Sequence, residues 1–234
     1  MPYFSNDNIH VLYIHIPKTG GTTIEKYFVK KYHAHMTLRE FDLSFSKVSL
    51  QHQTLATLCD ATEKFGIDME KSRIFASVRN PYTRLISHLY FKHRITNSMT
   101  PSQVEHVVRG VFTAYDIDNH IYDNHLLPQH LFVSNNTGLH VSIVKQENLA
   151  EDMKGLGFPD FDAQPRALVT MIHKKSLFHN RPLRKQKQTP APNYFQQINM
   201  NTVNIINKYY KEDFSQFGYT MITSEAQLRQ LQKT

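Results

Sequence analysis

The sequence predicts a single α/β domain, spanning residues 1–234, in which helices lie on both faces of a central, mainly parallel β-sheet, a three-layer arrangement. Three observations predict it. Residues 10–28 and 73–91 each read as a short apolar strand, a turn and a helix, and a third strand pattern follows at 140–145. Repeated strand-turn-helix units favour parallel strands joined by helical crossovers. The 234 residues are 40% hydrophobic, enough for one sizeable core without a second domain. That core is expected from about residue 11 to 219, and the polar tail, 223–234, is expected to fray.

In the first unit, Val11, Leu12, Tyr13, Ile14 and Ile16 supply the strand, and Pro17 ends it by removing a ladder donor. Gly20 and Gly21 let backbone N–H groups turn inward without Cβ clashes. Thr22 and Thr23 are placed to cap the next helix and to offer hydroxyls to an anion. Ile24, Phe28 and Tyr32 recur at helical spacing. Lys18 adds a cation to a helix N-terminus whose dipole and free N–H groups already favour negative charge. Glycines alone would mark only a connection; with Lys18, Thr19, Thr22 and Thr23 the loop suits a phosphate or sulfate. The nucleotide-hydrolase loop GxxxxGK[ST] carries its lysine after the glycines. Here the lysine precedes them, which disfavours an ordinary ATPase or GTPase.

In the second unit, residues 74–78 form the strand and Arg79 stands at its end. Pro81 suits a first helical turn, and Tyr82, Leu85, Ile86, Leu89 and Tyr90 supply an apolar stripe. Arg79 and Ser87 are eight residues apart, which allows a strand-end guanidinium and a hydroxyl two turns into the helix to converge on one phosphate. Taken singly, Arg79 reads as a strand-end salt bridge and Ser87 as a surface position.

Together, PKTGGTT at 17–23 and RIFASVRNPYTRLISHLYF at 73–91 resemble the 5′-phosphosulfate loop and the 3′-phosphate motif of sulfotransferases, most specifically the carbohydrate sulfotransferases of the sulfotransferase-2 group. The resemblance implies a fold similar to P-loop nucleotide kinases in its phosphate-loop arrangement. It also implies transfer of a sulfuryl group from 3′-phosphoadenosine-5′-phosphosulfate (PAPS) to a carbohydrate hydroxyl, with no metal required. Lys18 and the loop through Thr23 would hold the 5′-phosphosulfate, and Arg79 and Ser87 the 3′-phosphate. His52, followed by Thr54, matches the family's catalytic base upstream of the 3′-phosphate strand. An alcohol is a poor nucleophile until its proton is removed, and neutral imidazole titrates near working pH. By composition alone His52 would only cap or surface a helix near 53–59. Asp123, His125, Pro128 and Gln129 resemble the family's D-x-H-x-x-P-Q element beside the acceptor pocket. There His125 either positions a sugar hydroxyl, substitutes as base, or packs under the Pro128 turn. His15 is the rival histidine, expected as a hydrogen-bonded core residue on the strand face opposite Ile14 and Ile16. Residues 141–153 resemble a strand followed by E-N-L-x-x-D, with Glu147 or Asn148 capping and Leu149 and Met153 packing at i and i+4. Residues 210–219 resemble the closing Y-x-x-D-F-x-x-F-G-Y, whose aromatics lock the last helix onto the core.

Formal charge is +7 and the pI is near 9.3, which suits an anionic co-substrate and an anionic acceptor. Nucleic acid is disfavoured: no helix-turn-helix, zinc-finger spacing or aromatic RNA-binding signature is present. HExxH is absent, and His120, His125 and His130, spaced by five, do not share a helical face, so no metal site is assigned. There is neither a long apolar run nor a charged-then-apolar leader. Golgi relatives carry an anchor and disulfides, whereas this chain has the single Cys59. A cytoplasmic, bacterial or viral protein is therefore expected, with a Golgi lumenal location only if an N-terminal segment has been removed. Residues 30–49 read as a connecting excursion with a short strand. Ser102 is expected to cap a helix at 103–112, after the basic Lys92, His93 and Arg94. The basic, proline-rich stretch 174–192, with Arg181, Arg184, Lys185 and Lys187, reads either as a mobile cover for the donor nucleotide or acidic polysaccharide, or as a solvated linker. Two other function classes compete: an ATP-dependent small-molecule kinase and a non-enzymatic binder of anionic polymers.

Overall fold

A computed structural model describes residues 1–134, 138–162 and 193–233; the basic stretch 174–192 lies outside the described residues. Five strands, β1 (Tyr3–Asn6), β2 (Ile9–Ile14), β3 (His35–Thr37), β4 (Arg73–Val78) and β5 (Ser142–Lys145), form one sheet in the order β3-β1-β2-β4-β5. β2 pairs with β4 and β4 with β5 in parallel, whereas β1 pairs antiparallel with both β2 and β3. The sheet is therefore mixed, which corrects the expectation of a mainly parallel one. The reason lies at the start of the chain, where Tyr3 and Phe4 precede a two-residue turn at Asp7 and Asn8. The Asn8 N–H donates to Asn6 Oδ1 at 2.9 Å, an Asx turn that folds β1 back on β2. The short strand expected within 30–49 is β3, on the outer side of β1.

The alternation along the strands sorts two cores. Leu12, Ile14, Ile74, Ala76 and Val78 face one way and pack with Leu55 and Leu58 of α2 (Leu55–Cys59), which is followed by α3 (Thr62–Phe65). Val11, Tyr13, Phe75 and Val144 face the other way, against Ile24 and Phe28 of α1 (Gly21–Lys31) and Leu149 and Met153 of α7 (Leu149–Gly155). A third cluster joins α4 (Pro81–Phe91), α5 (Pro101–Ile117), α8 (Met200–Tyr209) and α9 (Lys211–Phe217). The remaining helices are α6 (Gln129–Val133) and α10 (Glu225–Lys233).

Several helix ends differ from expectation. α1 starts after Gly20, whose φ of 96° lies in the left-handed region, and no side chain caps it; Thr22 and Thr23 sit inside its first turn. Thr100, not Ser102, caps α5 in a reciprocal box with Gln103, and that helix runs on to Ile117. α7 has no side-chain cap; Glu147 instead accepts from the Asn80 backbone N–H and the Tyr219 hydroxyl. Most of the tail from 223 forms α10, which buries Leu228, and Gln232 donates to the carbonyls of Phe195 and Ile198.

The closing aromatic motif packs as expected, with Tyr210, Phe214 and Phe217 buried. Its acid does more. Asp213 is fully buried and accepts from the backbone N–H groups of Gln129 and His130 and from His130 Nδ1, all within 2.9 Å, so it caps α6 across 83 or 84 residues of sequence. Asp213→Ala would strand these donors, and urea unfolding should show a loss of about 3 kcal/mol. A loss below about 1 kcal/mol would mean that the cap is not what holds α6.

Candidate active site

The loop after β2 is shaped by close packing. Lys18 has φ 71° and Gly20 φ 96°, so the chain turns through two left-handed residues between strand and helix. Gly21 permits what another residue would not: an added Cβ would meet the His15 ring, with Cδ2 at 2.6 Å. Thr19 is fully buried. Its hydroxyl donates to the Ile16 carbonyl at 2.7 Å and meets Ser77 Oγ at 2.8 Å, and Ser77 in turn meets the Tyr13 hydroxyl at 2.5 Å. Thr19 therefore offers the loop only its backbone N–H. The first turn of α1 keeps its N–H groups free of side-chain caps, the arrangement that receives an anion.

Arg79 lies beside this loop. Its Nη1 donates to the Lys18 carbonyl at 3.3 Å, Nε donates to Thr83 Oγ1 at 3.0 Å, and the guanidinium lies 5.4 Å from the Tyr194 ring centre. Gln129 clamps the Arg79 backbone from both sides, accepting from its N–H at 2.9 Å and donating to its carbonyl at 2.8 Å. Ser87 is half-buried on α4, and no hydrogen bond joins it to Arg79 among the described residues. Lys18 Nζ sits 4.2 Å above the Phe91 ring, whose plane stacks on His125 at 5.6 Å.

The histidines form a file. His15 and His52 meet edge to face at 5.1 Å, as do His52 and His125, and His125 Nδ1 lies 3.1 Å from His88 Nδ1. Carboxylates flank two of them. Asp123 Oδ2 accepts from His52 Nδ1 at 2.7 Å, and Glu25 Oε1 lies 2.6 Å from His15 Nδ1 in a close contact off the hydrogen-bond line. Lys18, His52 and His125 are thus brought together through Phe91 and the ring contacts. His120 and His130 are not part of the file; they bond to Asn124 and Asp213. Thr54 serves as N-cap of α2, accepting from the Thr57 N–H.

Electrostatics divide the site. Burial, then the charges of Arg79 and Lys92, pulls Lys18 down to about 8. Among the described residues none of these three cations has an ion-pair partner. Burial pulls His52 down to about 4, outweighing the Asp123 hydrogen bond that raises it. Burial and the neighbouring Arg84 and Lys92 pull His88 down to about 3, and burial with His52 and His88 holds His125 well below the ordinary range. The imidazoles of His52, His88 and His125 are therefore neutral near pH 7, and the charge beside them belongs to the cations.

Sequence reasoning missed Arg84 and His88. Both are 1% exposed on α4, beside the apolar stripe at Leu85 and Leu89. Arg84 Nε donates to the Pro17 carbonyl at 3.2 Å, and Nη2 donates to the carbonyls of His125 and Leu127 at 3.1 and 2.9 Å. Its i, i+4 spacing with His88 was visible, but an exposed helix edge would read the same way. Asp123 was noted as part of a motif, without a role.

The buried histidines make stability depend on pH. Unfolded imidazole titrates near 6.5, so below that value the unfolded chain binds protons that His52 refuses until about 4 and His88 until about 3. Stability should fall between pH 8 and pH 5 by on the order of 2 kcal/mol for each such ring. The urea midpoint at the two pH values measures this, and a flat midpoint would show that the rings reach solvent.

A family model described as the sulfotransferase family matches residues 1–220. No curated protein and no solved structure matches the chain. With the sequence motifs at 17–23 and 79–87 inside the matched span, the chain belongs to the sulfotransferase family, in its sulfotransferase-2 group.

Proposed function

We propose that this chain transfers a sulfuryl group from PAPS to a hydroxyl of a carbohydrate acceptor. The observation that carries the reading is the group of cations without ion-pair partners among the described residues, Lys18, Arg79 and Lys92, gathered at an uncapped helix N-terminus. Like charges held together at a cost fit a site for a multiply charged anion. Family membership supplies sulfuryl transfer as the reaction class.

In this reading PAPS supplies the activated sulfuryl group. Lys18 and the backbone N–H groups of residues 19–23 hold its 5′-phosphosulfate, and Lys18 neutralises charge on the departing phosphate. Arg79 takes the 3′-phosphate, with Ser87 on the same helix-strand unit. Tying Arg79 Nη1 to the Lys18 carbonyl makes the two anion-holding elements one rigid piece, so the donor is aligned before the acceptor arrives. His52 takes the acceptor proton, and His125, stacked on Phe91 beside Lys18, borders the acceptor. No residue assigned here acts through a metal. The organisation as one domain belongs to the same reading.

Calorimetric titration with 3′-phosphoadenosine-5′-phosphate, AMP and ATP tests the donor. Binding that depends on the 3′-phosphate is expected; preference for ATP would move the reading to a kinase, and binding of none to an anionic-polymer binder. Lys18→Ala should lower kcat by about 100-fold or more. Arg79→Ala should weaken the nucleotide by about tenfold and erase the preference for the 3′-phosphate. His52→Ala should keep nucleotide binding and lose about 100-fold in transfer. Unchanged values in any of the three remove that residue from its role.

Lys18 gives a second test. At pH 8 it is about half neutral when free, and an adjacent phosphate favours its charged form. Nucleotide binding should therefore take up protons at pH 8 and not at pH 6.5, read as a dependence of binding enthalpy on buffer ionisation enthalpy. Buffer-independent enthalpy at pH 8 would show that Lys18 does not meet the anion.

A further inference from the structure

Residues 122–124 form a left-handed turn without glycine: Tyr122, Asp123 and Asn124 have φ of 56°, 61° and 59°. L-residues enter this region singly and at a cost, so three in succession persist only where surrounding bonds impose them. Those bonds converge on one histidine. Asp123 Oδ1 accepts from the Ser49 N–H at 2.7 Å, and Oδ2 accepts from Ser49 Oγ at 2.8 Å and from His52 Nδ1 at 2.7 Å. Asn124 Nδ2 donates to the His52 carbonyl at 3.0 Å, and its Oδ1 meets His120 Nδ1 at 2.8 Å. The turn thus grips His52 by ring and by backbone.

We propose that this turn makes Asp123 a positioning residue: its carboxylate holds His52 in the Nδ1–H tautomer, so that Nε2 is the atom that receives the acceptor's proton. The proposal rests on the sulfuryl-transfer reading. In that step the acceptor oxygen forms a bond to sulfur while the bond from sulfur to the bridging phosphate oxygen breaks. The electron pair leaves with the phosphate, and the hydroxyl proton passes to His52 Nε2. The imidazolium that forms has a carboxylate oxygen 2.7 Å from its other nitrogen, which holds the ring's orientation and offsets its charge. Neither rival histidine is built this way. His125 Nδ1 faces another imidazole nitrogen, on His88, and has no carboxylate partner among the described residues. His15 has Glu25 at Nδ1, but its Nε2 edge is closed by Gly21.

Nitrogen-15 NMR of histidine-labelled full-length chain tests the tautomer without any variant, His52 being assigned by its loss in His52→Gln. His52 is expected with Nδ1 protonated and Nε2 bare. In Asp123→Asn, His52 should become a tautomer mixture. Affinity for 3′-phosphoadenosine-5′-phosphate should stay within about twofold and kcat should fall by about 100-fold, with Asp123→Glu recovering part of the loss. An Nε2-protonated His52 in the unaltered chain, or an Asp123→Asn variant with kcat within about threefold of the unaltered chain, would overturn the proposal. If Asp123→Asn does not fold, Ser49→Ala keeps the carboxylate and removes one of its three donors, the hydroxyl, while the backbone N–H of residue 49 stays. It should cost roughly three- to tenfold in kcat at unchanged nucleotide affinity; no loss would count against the proposal. The failures are separable: an unaltered chain that binds no nucleotide overturns the transfer reading and the catalytic half of the proposal, whereas an Nε2-protonated His52 in a chain that does bind overturns the positioning role alone.

Discussion

A buried guanidinium ties the site together. Arg84 is 1% exposed and has no carboxylate within ion-pair distance among the described residues, so its desolvation is offset by carbonyl acceptors and by the Tyr210 ring, 5.6 Å away. The acceptors are what make it structural. One belongs to Pro17, at the entry to the anion loop, and two to His125 and Leu127, which flank the histidine file. The two halves of the proposed site, the loop at 17–23 and the histidines, are thus held to one group on α4. That helix also begins directly behind Arg79, with Asn80 as its cap and Pro81 at its first position. A single helix therefore sets the relative placement of Arg79, the Lys18 loop and His125.

Local strain and local repulsion are both stored around this point. Lys18 and residues 122–124 hold left-handed conformations, each costing about 1 kcal/mol or more for a non-glycine residue. Burial, and after it the charges of Arg79 and Lys92, depresses Lys18. The surrounding core is tightly filled, with Tyr13, Phe28, Phe75 and Ile24 all fully buried beneath the loop. Such a division, strain at the site and consistent packing elsewhere, is what functional sites commonly display.

Much of this was legible in the sequence because it depends on local pattern. The strand end at Val78, the glycines after Lys18 and Pro81 at the head of α4 are each set by residues within one turn of themselves, whereas β2 ends at Ile14, two residues short of the expected Ile16. β1 escaped because its four residues are half polar and its strand character comes from pairing on both sides, with β2 and β3. Thr22 and Thr23 looked like caps because threonine at a helix start usually is one, but Gly20 had already taken the turn. The tail looked polar because α10 presents mainly Leu228 to the core and is otherwise held by side-chain amides. Arg84, His88 and Asp123 were beyond reach for another reason: their roles arise from partners 37 to 74 residues away, and such pairs leave no local signature.

The mixed sheet also sets an order of assembly. Pairing of β1 with β2 joins residues nine positions apart at its widest, Tyr3 with Leu12, whereas β4 must find β2 across Val11 and Arg73, and β5 must find β4 across Phe75 and Ser142. Loop closure costs more and takes longer as the separation grows. The antiparallel hairpin is thus the cheapest contact for a growing chain, and the parallel half, which carries the anion loop, Arg79 and the histidine file, closes late. Until residues beyond Leu127 have emerged, Arg84 has only one of its three carbonyls, so a nascent chain can own a hairpin long before it owns a site.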